Sequence, residues 1–177
     1  MNGKGSLVMR EKATNVNLTL VVVPSPAFYF LLLHLRLSSV WYSTQLVDMF
    51  AYEVPSTRLA SSEGKNGQIS TENLITYNFH NLFSQERFFL VVDDYSQNKS
   101  LVKSSSNVFA NANWLERELS EMSGLLFENK ADVRNLLLMY GDTLNPLRKS
   151  VPSIGFKEVM FDINNDFIVQ TPVTVQV

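Results

Sequence analysis

The sequence of 177 residues contains no cysteine and only two histidines, His34 and His80. The lack of cysteine excludes disulfides, thiolate nucleophiles, iron–sulfur ligation by this chain and cysteine-based zinc sites. Two histidines that lie far apart in the sequence leave little for any other metal site. We therefore expect the purified chain to be colourless and free of metal.

Charge is also scarce, because charged residues make up 18% of the chain, with 15 Lys and Arg against 17 Asp and Glu. A formal net charge of −2 argues against a nucleic-acid-binding protein, which usually needs a basic face. A hydrophobic content of 45% is too high for a disordered chain. With so few charges, part of the surface is left to apolar groups, which indicates a partner surface.

The most apolar stretch, Leu18–Leu37, is not expected to span a membrane. A membrane-spanning helix needs about 20 mostly apolar residues, whereas Pro24 and Pro26 interrupt this stretch, and His34 and Arg36 make its far end polar. A buried strand followed by a buried helix explains it better. No apolar segment begins near the N-terminus, so a secretory signal is not expected either.

Hydrophobic periodicity predicts an α+β fold, with a mixed or antiparallel sheet, two or more packed helices and a C-terminal β-hairpin. The length fits a single domain over residues 1–177, with an N-terminal part at 15–106 and a second part at 107–177. The predicted strands lie at 15–23, 41–53, 74–83, 88–92, 156–161 and 167–173. Polar loops are predicted at 56–72 and 93–106.

Three helices are predicted, at 27–37, 113–123 and 129–140. Ser25 is expected to cap the first, with Pro26 in its first position, and Gly124 is expected to end the second. The third would end at Gly141. Its inward face would consist of Val133, Leu136, Leu137 and Tyr140.

No catalytic constellation emerges from the residues. The tightest carboxylate pairs, Asp93-Asp94 and Glu116 with Glu118, are one and two positions apart, and such neighbours do not face each other on a helix. Gly64 and Gly67 lack the flanking strand and helix of a phosphate-binding loop. We therefore expect no catalytic, cofactor-binding or metal-binding residues, and interpret the chain as a non-catalytic domain with a partner surface.

A charged helix and a basic loop are more informative. Arg117 and Glu121 stand at positions i and i+4 of the helix predicted at 113–123, a spacing that permits an ion pair. A basic loop follows at 145–149. The loop and the acidic helix can pair within the chain or address a partner, and composition leaves both open.

A long spaced pattern begins in this helix, and it resembles the signature of the NuoC-type (30 kDa) subunit of respiratory complex I, NADH:quinone oxidoreductase. The likeness is strong over 107–173 and weaker at 45–48 and 53–55. The residues that carry the signature and its flanks are Trp114, Glu116, Arg117, Glu118, Glu121, Lys130, Arg134, Pro146, Leu147, Arg148, Lys149, Pro152, Gly155 and Glu158.

The sequence departs from the family pattern at several positions. Ser123 stands where the family has a large apolar residue, so we expect Phe127 or a neighbouring subunit to fill the space. Glu121 replaces the usual aspartate, and Asn145 replaces a histidine. The segment 56–72 is an insertion. Such divergence resembles that of a mitochondrion-encoded protist form.

The resemblance implies a non-catalytic structural subunit of the quinone module in the peripheral arm of complex I. The whole complex is an H⁺-translocating NADH:ubiquinone reductase, whose FMN, iron–sulfur clusters and ubiquinone lie on other subunits, so this chain is expected to bind no cofactor. The implied partners are the 49 kDa-type subunit and the terminal-cluster (PSST-type) subunit. The implied location is the matrix side of the mitochondrial inner membrane, without a span of its own.

Two further expectations follow from the resemblance. Arg148 and Lys149 are expected to serve assembly, with Arg148 paired to Glu116, to Glu118 or to an acid of a neighbour. The alternative function is that of a homologous subunit in a related complex, such as a membrane-bound hydrogenase or a plastid-type quinone oxidoreductase.

Overall fold

The computed structural model describes residues 7–13, 16–55, 71–93, 102–142 and 144–173, and within them it confirms the α+β class. The two helices are α1, Ser25–Leu37, and α2, Ala112–Ser123. The main sheet contains β1 Leu7–Ala13, β2 Val16–Pro24, β3 Thr44–Pro55, β4 Thr71–Asn81 and β5 Glu86–Asp93. The short strands are β6 Val102–Lys103 and β7 Phe127–Glu128, and the C-terminal hairpin consists of β8 Lys157–Asp162 and β9 Phe167–Pro172.

The main sheet is mixed, with the strand order β1-β2-β5-β4-β3. Strands β2 and β5 pair in parallel, and the other neighbours pair antiparallel. The alternation of apolar and polar residues that predicted β4 reflects a strand with one face in the core, whereas a continuous apolar run predicted β5. Along β4, the side chains of Ile75, Tyr77 and Phe79 are buried, and they point to the same face.

Helix α1 covers that face of the sheet. Phe28, Leu32 and Leu35, spaced at i, i+4 and i+7, are its buried side chains, and the Phe28 ring lies 4.5 Å from that of Tyr77. The prediction that Ser25 caps this helix is wrong. Pro24 occupies the cap position in an extended conformation, without a side-chain hydrogen bond, because the helix already begins at Ser25.

The segment Leu18–Leu37 is therefore divided between a strand and a helix, as the sequence predicts. Within the described ranges, no helix has both the length and the apolar character that crossing a membrane requires.

The helix predicted at 129–140 is wrong, since the structure has irregular backbone there. Asn129 adopts a left-handed φ of 60°, and the N–H groups of residues 136–138 bind the Glu121 carboxylate instead of helical carbonyls. Val133, Leu137 and Tyr140, expected to face inward, are exposed. Gly141 has a positive φ but ends no helix.

The two predicted loops lie partly outside the described residues, whereas the two predicted hairpins lie within them. Most of the loop at 56–72 lies outside the described residues, although Thr71 and Glu72 belong to β4. Of the polar loop predicted at 93–106, residues 94–101 lie outside the described residues, and Asp93 belongs to β5. The prediction is wrong at 102–103, which form β6, with Val102 buried and paired to β7. Both predicted hairpins, β4–β5 and β8–β9, are confirmed.

A substitution at Phe79 tests the packing of the core. The Phe79 ring is fully buried, and it lies 5.4 Å from the rings of both Phe88 and Phe109. We predict that Phe79→Ala lowers the free energy of unfolding by about 3–5 kcal/mol, since it leaves a cavity. The matched control, Phe83→Ala, changes an exposed ring in the β4–β5 turn and should cost about 0.5 kcal/mol or less. Urea unfolding of the two variants measures the difference, and equal losses would contradict the packing.

Candidate functional site

The candidate site is built on α2, which carries the first part of the signature. Ala112 and Leu119 bury one face of the helix in the core, and the Asn111 side-chain amide donates to the Leu46 carbonyl of β3. The helix ends at Gly124, whose φ of 69° and N–H bond to the Ser120 carbonyl form a left-handed cap, as predicted. Between Gly124 and β8, the described residues are irregular apart from β7, so few backbone hydrogen bonds hold this segment in place.

A fully buried carboxylate lies at the centre of the site. The Glu116 oxygens accept hydrogen bonds from the Ser104 hydroxyl at 2.7 Å, the Ser105 N–H at 2.6 Å and the Ser105 hydroxyl at 2.7 Å. The Lys130 ammonium lies 3.1 Å from Glu116 Oε2, and both side chains are at most 1% exposed. Lys130 also donates to the carbonyl and side-chain oxygens of Asn113, at 3.0 and 2.9 Å. The buried charges are thus compensated within the chain, and the pair fastens β6, α2 and residue 130 together.

The charge of Glu116 also reaches the core beside α1. Burial raises the pKa of Tyr77 well above its ordinary value, and the negative charge of Glu116 raises it further. The Tyr77 hydroxyl has no hydrogen-bond partner among the described residues. Tyr77 is therefore a neutral core side chain over the whole physiological pH range.

Arg117 fixes the backbone of residues 132–135. Its guanidinium donates to the carbonyl of Arg134 at 2.8 Å and to that of Asn135 at 2.9 Å, and it lies 3.6 Å from the Asp132 carboxylate. The Trp114 ring packs 5.6 Å from the same guanidinium. The i, i+4 pair of Arg117 with Glu121 that the spacing permits is not among the ion pairs of the described residues, since Arg117 is engaged with this segment.

Asp132 and Arg134 form a local pair on the surface of this segment. Two guanidinium nitrogens of Arg134 lie 3.0 and 2.9 Å from the two Asp132 oxygens. The hydrogen bonds from Arg134 hold the pKa of Asp132 well below its ordinary value. The signature residue Arg134 thus contributes its backbone carbonyl to Arg117 and its side chain to Asp132.

Glu121 holds the next residues of the segment. Its carboxylate accepts the backbone N–H groups of Leu136, Leu137 and Leu138, the last two at 2.8 and 3.3 Å. Partial desolvation raises the pKa of Glu121, but these hydrogen bonds and the charge of Arg117 outweigh it and leave the pKa below its ordinary value. The carboxylate therefore replaces a helix or a sheet ladder as the hydrogen-bond partner of residues 136–138.

Arg148 binds the C-terminal end of α2 and so holds the end of the segment 125–148 against the helix. Its guanidinium donates to the carbonyls of Ser123 at 3.0 Å and Gly124 at 3.2 Å, and the Leu147 N–H donates to the Met122 carbonyl at 2.9 Å. The expected pairing of Arg148 with Glu116 or Glu118 is wrong. A cation is favoured at the carbonyl end of a helix, where the last carbonyls lack helical partners.

Gly124 makes this closure possible. A Cβ at Gly124 would lie 2.4 Å from a guanidinium nitrogen of Arg148 and 2.7 Å from the Asn145 amide nitrogen. The glycine is therefore needed for close approach as well as for its left-handed φ. Arg148 therefore contacts α2 within the chain, but through backbone carbonyls and not through the acids of the helix. That the basic loop addresses a partner stays a prediction.

Apart from Trp114, whose ring packs on Arg117, the remaining signature residues do not join this network by their side chains among the described residues. Lys149 is exposed, and its backbone N–H lies 3.0 Å from a Glu53 carboxylate oxygen. Gly155 has a φ of 84° and donates to the Pro152 carbonyl in a turn before β8. The exposed members are Trp114, Glu118, Pro146, Leu147, Lys149, Pro152 and Glu158.

Ser104 and Ser105 were missed by the sequence analysis, which placed them in a polar loop. A signal for the buried carboxylate does exist in the sequence. Ala112, Glu116, Leu119 and Ser123 recur at helical spacing and share the buried face of α2, so a charge within that stripe requires buried partners. Which residues supply those partners depends on the tertiary fold. The filling of the space beside Ser123, which is buried, stays a prediction.

Within the part of the chain that the structure describes, no group of three or more His, Asp or Glu side chains could hold a metal ion.

Residues 21–157 match the family described as "Respiratory-chain NADH dehydrogenase, 30 Kd subunit". The chain is 37% identical over 125 residues to NADH-ubiquinone oxidoreductase subunit 9 of Paramecium primaurelia, which covers 67% of this chain and 55% of that protein. It is 35% identical over 100 residues to an NADH-quinone oxidoreductase subunit of Ruegeria pomeroyi, covering 56% of this chain and 49% of that protein. The chain thus spans about half the length of these curated relatives.

Two solved structures share the fold. A trypsin-resistant fragment of Nqo5 is 19% identical, with a TM-score of 0.52 over 73% of this chain and 90% of the fragment. A chain of the membrane-bound sulfane sulfur reductase, an archaeal respiratory membrane complex, is 16% identical, with a TM-score of 0.57 over 82% of this chain and 76% of that chain.

The Glu116–Lys130 pair generates a prediction on stability. Lys130→Met should lower the free energy of unfolding by about 3–5 kcal/mol, because it leaves a buried carboxylate without its cation. Glu116→Gln should cost a similar amount by stranding the ammonium. The double variant should lose less than the sum of the two, and a double-mutant cycle by chemical denaturation measures the coupling. Strictly additive losses would show that the two charges do not depend on each other.

The lowered pKa of Glu121 predicts how the stability of the fold depends on pH. A carboxylate whose pKa is lower in the folded state stabilises the fold above its unfolded pKa, and this contribution disappears as the pH falls through the folded value. The wild type should therefore be more stable than Glu121→Gln at neutral pH, and the difference should shrink as the pH falls below the ordinary glutamate value of 4.5. Urea unfolding at several pH values measures it, with Glu118→Gln on the same helix as the control. A difference that is independent of pH would contradict the role given to the carboxylate.

Proposed function

Since the chain belongs to the 30 kDa subunit family of respiratory-chain NADH dehydrogenase, we propose that it is a non-catalytic structural subunit in the quinone module of complex I. In that role it supports electron transfer from NADH to ubiquinone in the peripheral arm without taking part in the chemistry. The complex as a whole would be the H⁺-translocating NADH:ubiquinone reductase.

The observation that carries the non-catalytic role is the way the signature charges are used. Glu116 pairs with Lys130 in the interior, Glu121 binds backbone N–H groups, and Arg148 binds backbone carbonyls. Each of these side chains is engaged within the chain, so its task is to shape the segment that follows α2. This supports a scaffold and gives no support to an acid–base or nucleophilic site.

The shaped segment exposes apolar side chains, which supports assembly with other subunits. We propose that the 49 kDa-type and the terminal-cluster (PSST-type) subunits cover this surface. The chain has no cysteine to ligate a cluster, in keeping with FMN, iron–sulfur clusters and ubiquinone on other subunits. The exposed apolar residues of the segment before the hairpin include Leu126, Val133, Leu137, Met139, Tyr140, Leu147 and Ile154.

The proposed location is the matrix side of the mitochondrial inner membrane, as part of the peripheral arm. The names of the relatives support it, because the Paramecium protein is called a subunit of NADH-ubiquinone oxidoreductase. The alternative is a homologous subunit of a related complex. The fold alone does not choose between this alternative and complex I, because a chain of the archaeal membrane-bound sulfane sulfur reductase shares the fold. The sequence relatives named for NADH oxidoreductases favour complex I.

Native electrophoresis of a tagged chain in its own membranes, followed by mass spectrometry of the band, tests this proposal. Co-migration with flavin-binding and NADH-binding subunits is the expected result. Co-migration with a complex that lacks NADH-binding subunits would support the related complex, and an isolated chain would contradict both assemblies.

Arg148→Ala tests the non-catalytic role within that complex. Loss of the contacts to Ser123 and Gly124 should lower the abundance of assembled complex several-fold, as a loss of about 1–2 kcal/mol does in cells. NADH oxidation per assembled flavin should stay at the wild-type value. Arg87→Ala, which removes an exposed arginine of β5 outside this segment, should leave both quantities nearly unchanged. Normal abundance with abolished turnover in Arg148→Ala would show that this residue takes part in the chemistry.

A further inference from the structure

The C-terminal hairpin, β8–β9, carries apolar side chains that the described helices and strands leave exposed. Its strands pair over 157–162 and 167–172, and neither strand packs extensively on a helix or on the five-stranded sheet. An isolated two-stranded hairpin is only marginally stable in water. A hairpin with this placement therefore depends on something that covers it.

Both faces of the hairpin carry exposed apolar side chains. Cross-strand partners share a face, so Val159, Phe161 and Ile168 lie together on one face, and they are 61%, 58% and 71% exposed. Met160 and Phe167 lie on the opposite face and are 48% and 51% exposed. A single flat partner could cover one of these faces. Covering both requires a cleft.

The two faces differ in charge, and the difference restricts the occupant. Glu158 and Asp162 lie on the face of Met160 and Phe167, which we call the acidic face. The face of Phe161, which we call the apolar face, carries a single charged residue, Lys157, at its end. The hairpin segment 156–173 holds one lysine against the acids Glu158, Asp162 and Asp166.

The excess of acidic residues on the hairpin excludes two candidate partners that would cover both faces, an anionic lipid surface and a second copy of the chain. A hairpin with an excess of acids is repelled by anionic lipid, which attracts Lys and Arg. A second copy of the chain could cover the apolar face, but covering both faces with copies would bring two acidic faces together, and like charges at an interface are costly. The remaining occupant is a different protein with a cleft of complementary charge.

We propose that the β8–β9 hairpin inserts as an arm into a cleft of another protein subunit, whose wall against Phe161 and Ile168 is apolar and whose opposite wall presents lysine or arginine to Glu158. This inference rests on the proposed function, because it names a surface by which the subunit joins its neighbours.

Photo-crosslinking in the intact complex tests the cleft. p-Benzoylphenylalanine replaces Phe161 on the apolar face, Phe167 on the acidic face or, as the control, Phe83, which is exposed in the β4–β5 turn. Positions 161 and 167 should crosslink to two segments of one neighbouring subunit, and the segment reached from 167 should contain lysine or arginine. Position 83 should not reach the same segments. Crosslinks from 161 and 167 to copies of this chain alone would overturn the proposal.

Substitutions measure the strength of the contact. Phe161→Ser and Phe167→Ser should each lower the amount of crosslinked subunit that co-purifies with the tagged chain by about tenfold, the effect of one buried aromatic anchor. Phe83→Ser should have no effect. Glu158→Lys should weaken co-purification, and a reversed charge in the mapped basic segment should restore it. Wild-type co-purification of the hairpin variants would overturn the proposal.

Two further outcomes separate this inference from the proposed function. Binding of the purified chain to phosphatidylcholine vesicles that contain phosphatidylglycerol, lost in Phe161→Ser, would assign the hairpin to a lipid surface and overturn the cleft. A crosslinked subunit that belongs to a complex without NADH-binding subunits would uphold the cleft and contradict the complex I assignment. Co-migration with NADH-binding subunits, together with wild-type co-purification of the hairpin variants, would uphold the complex I assignment and overturn the cleft.

Discussion

The carboxylate of Glu116 is the point on which the C-terminal half of the described structure depends. It is fully buried, and it joins Ser104 and Ser105 before the helix to Lys130 after it. A buried ion pair adds little net stability, because desolvation of both charges offsets their attraction. Removing one of the two charges is costly, because the other then stays buried without a partner. We therefore interpret the pair as a device that fixes where the chain goes after α2.

From that point the helix acts as a template for an irregular segment. Arg117 binds carbonyls at 134 and 135, Glu121 binds N–H groups at 136–138, and Arg148 returns the chain to the end of the helix. These contacts satisfy backbone groups that a helix or a sheet would otherwise satisfy. As a result, apolar side chains such as Leu137 and Tyr140 can lie on the surface, where the proposed function would place neighbouring subunits.

Local patterns predicted the parts of this structure that local forces determine. The alternation in β4, the division of Leu18–Leu37 into a strand and a helix, and the glycine end of α2 all hold in the structure. The helix predicted at 129–140 failed because its apparent period arises in a segment held from outside by Glu121. The signature pattern located the anchoring charges, but their partners are mostly backbone groups of Arg134, Asn135, Ser123 and Gly124, which no side-chain pattern reveals.

Hydrogen exchange of the purified chain tests the central claim, that buried charges on α2 hold the segment after it. In Lys130→Met, the amides of Leu136, Leu137 and Leu147, which donate to α2, should lose nearly all of their protection. The amides of β4 and β5 should stay protected, and their protection should fall only with the global free energy of unfolding. Phe83→Ser should leave both sets as in the wild type. Segment amides that stay as protected as those of the sheet, or no loss in either set, would contradict the account.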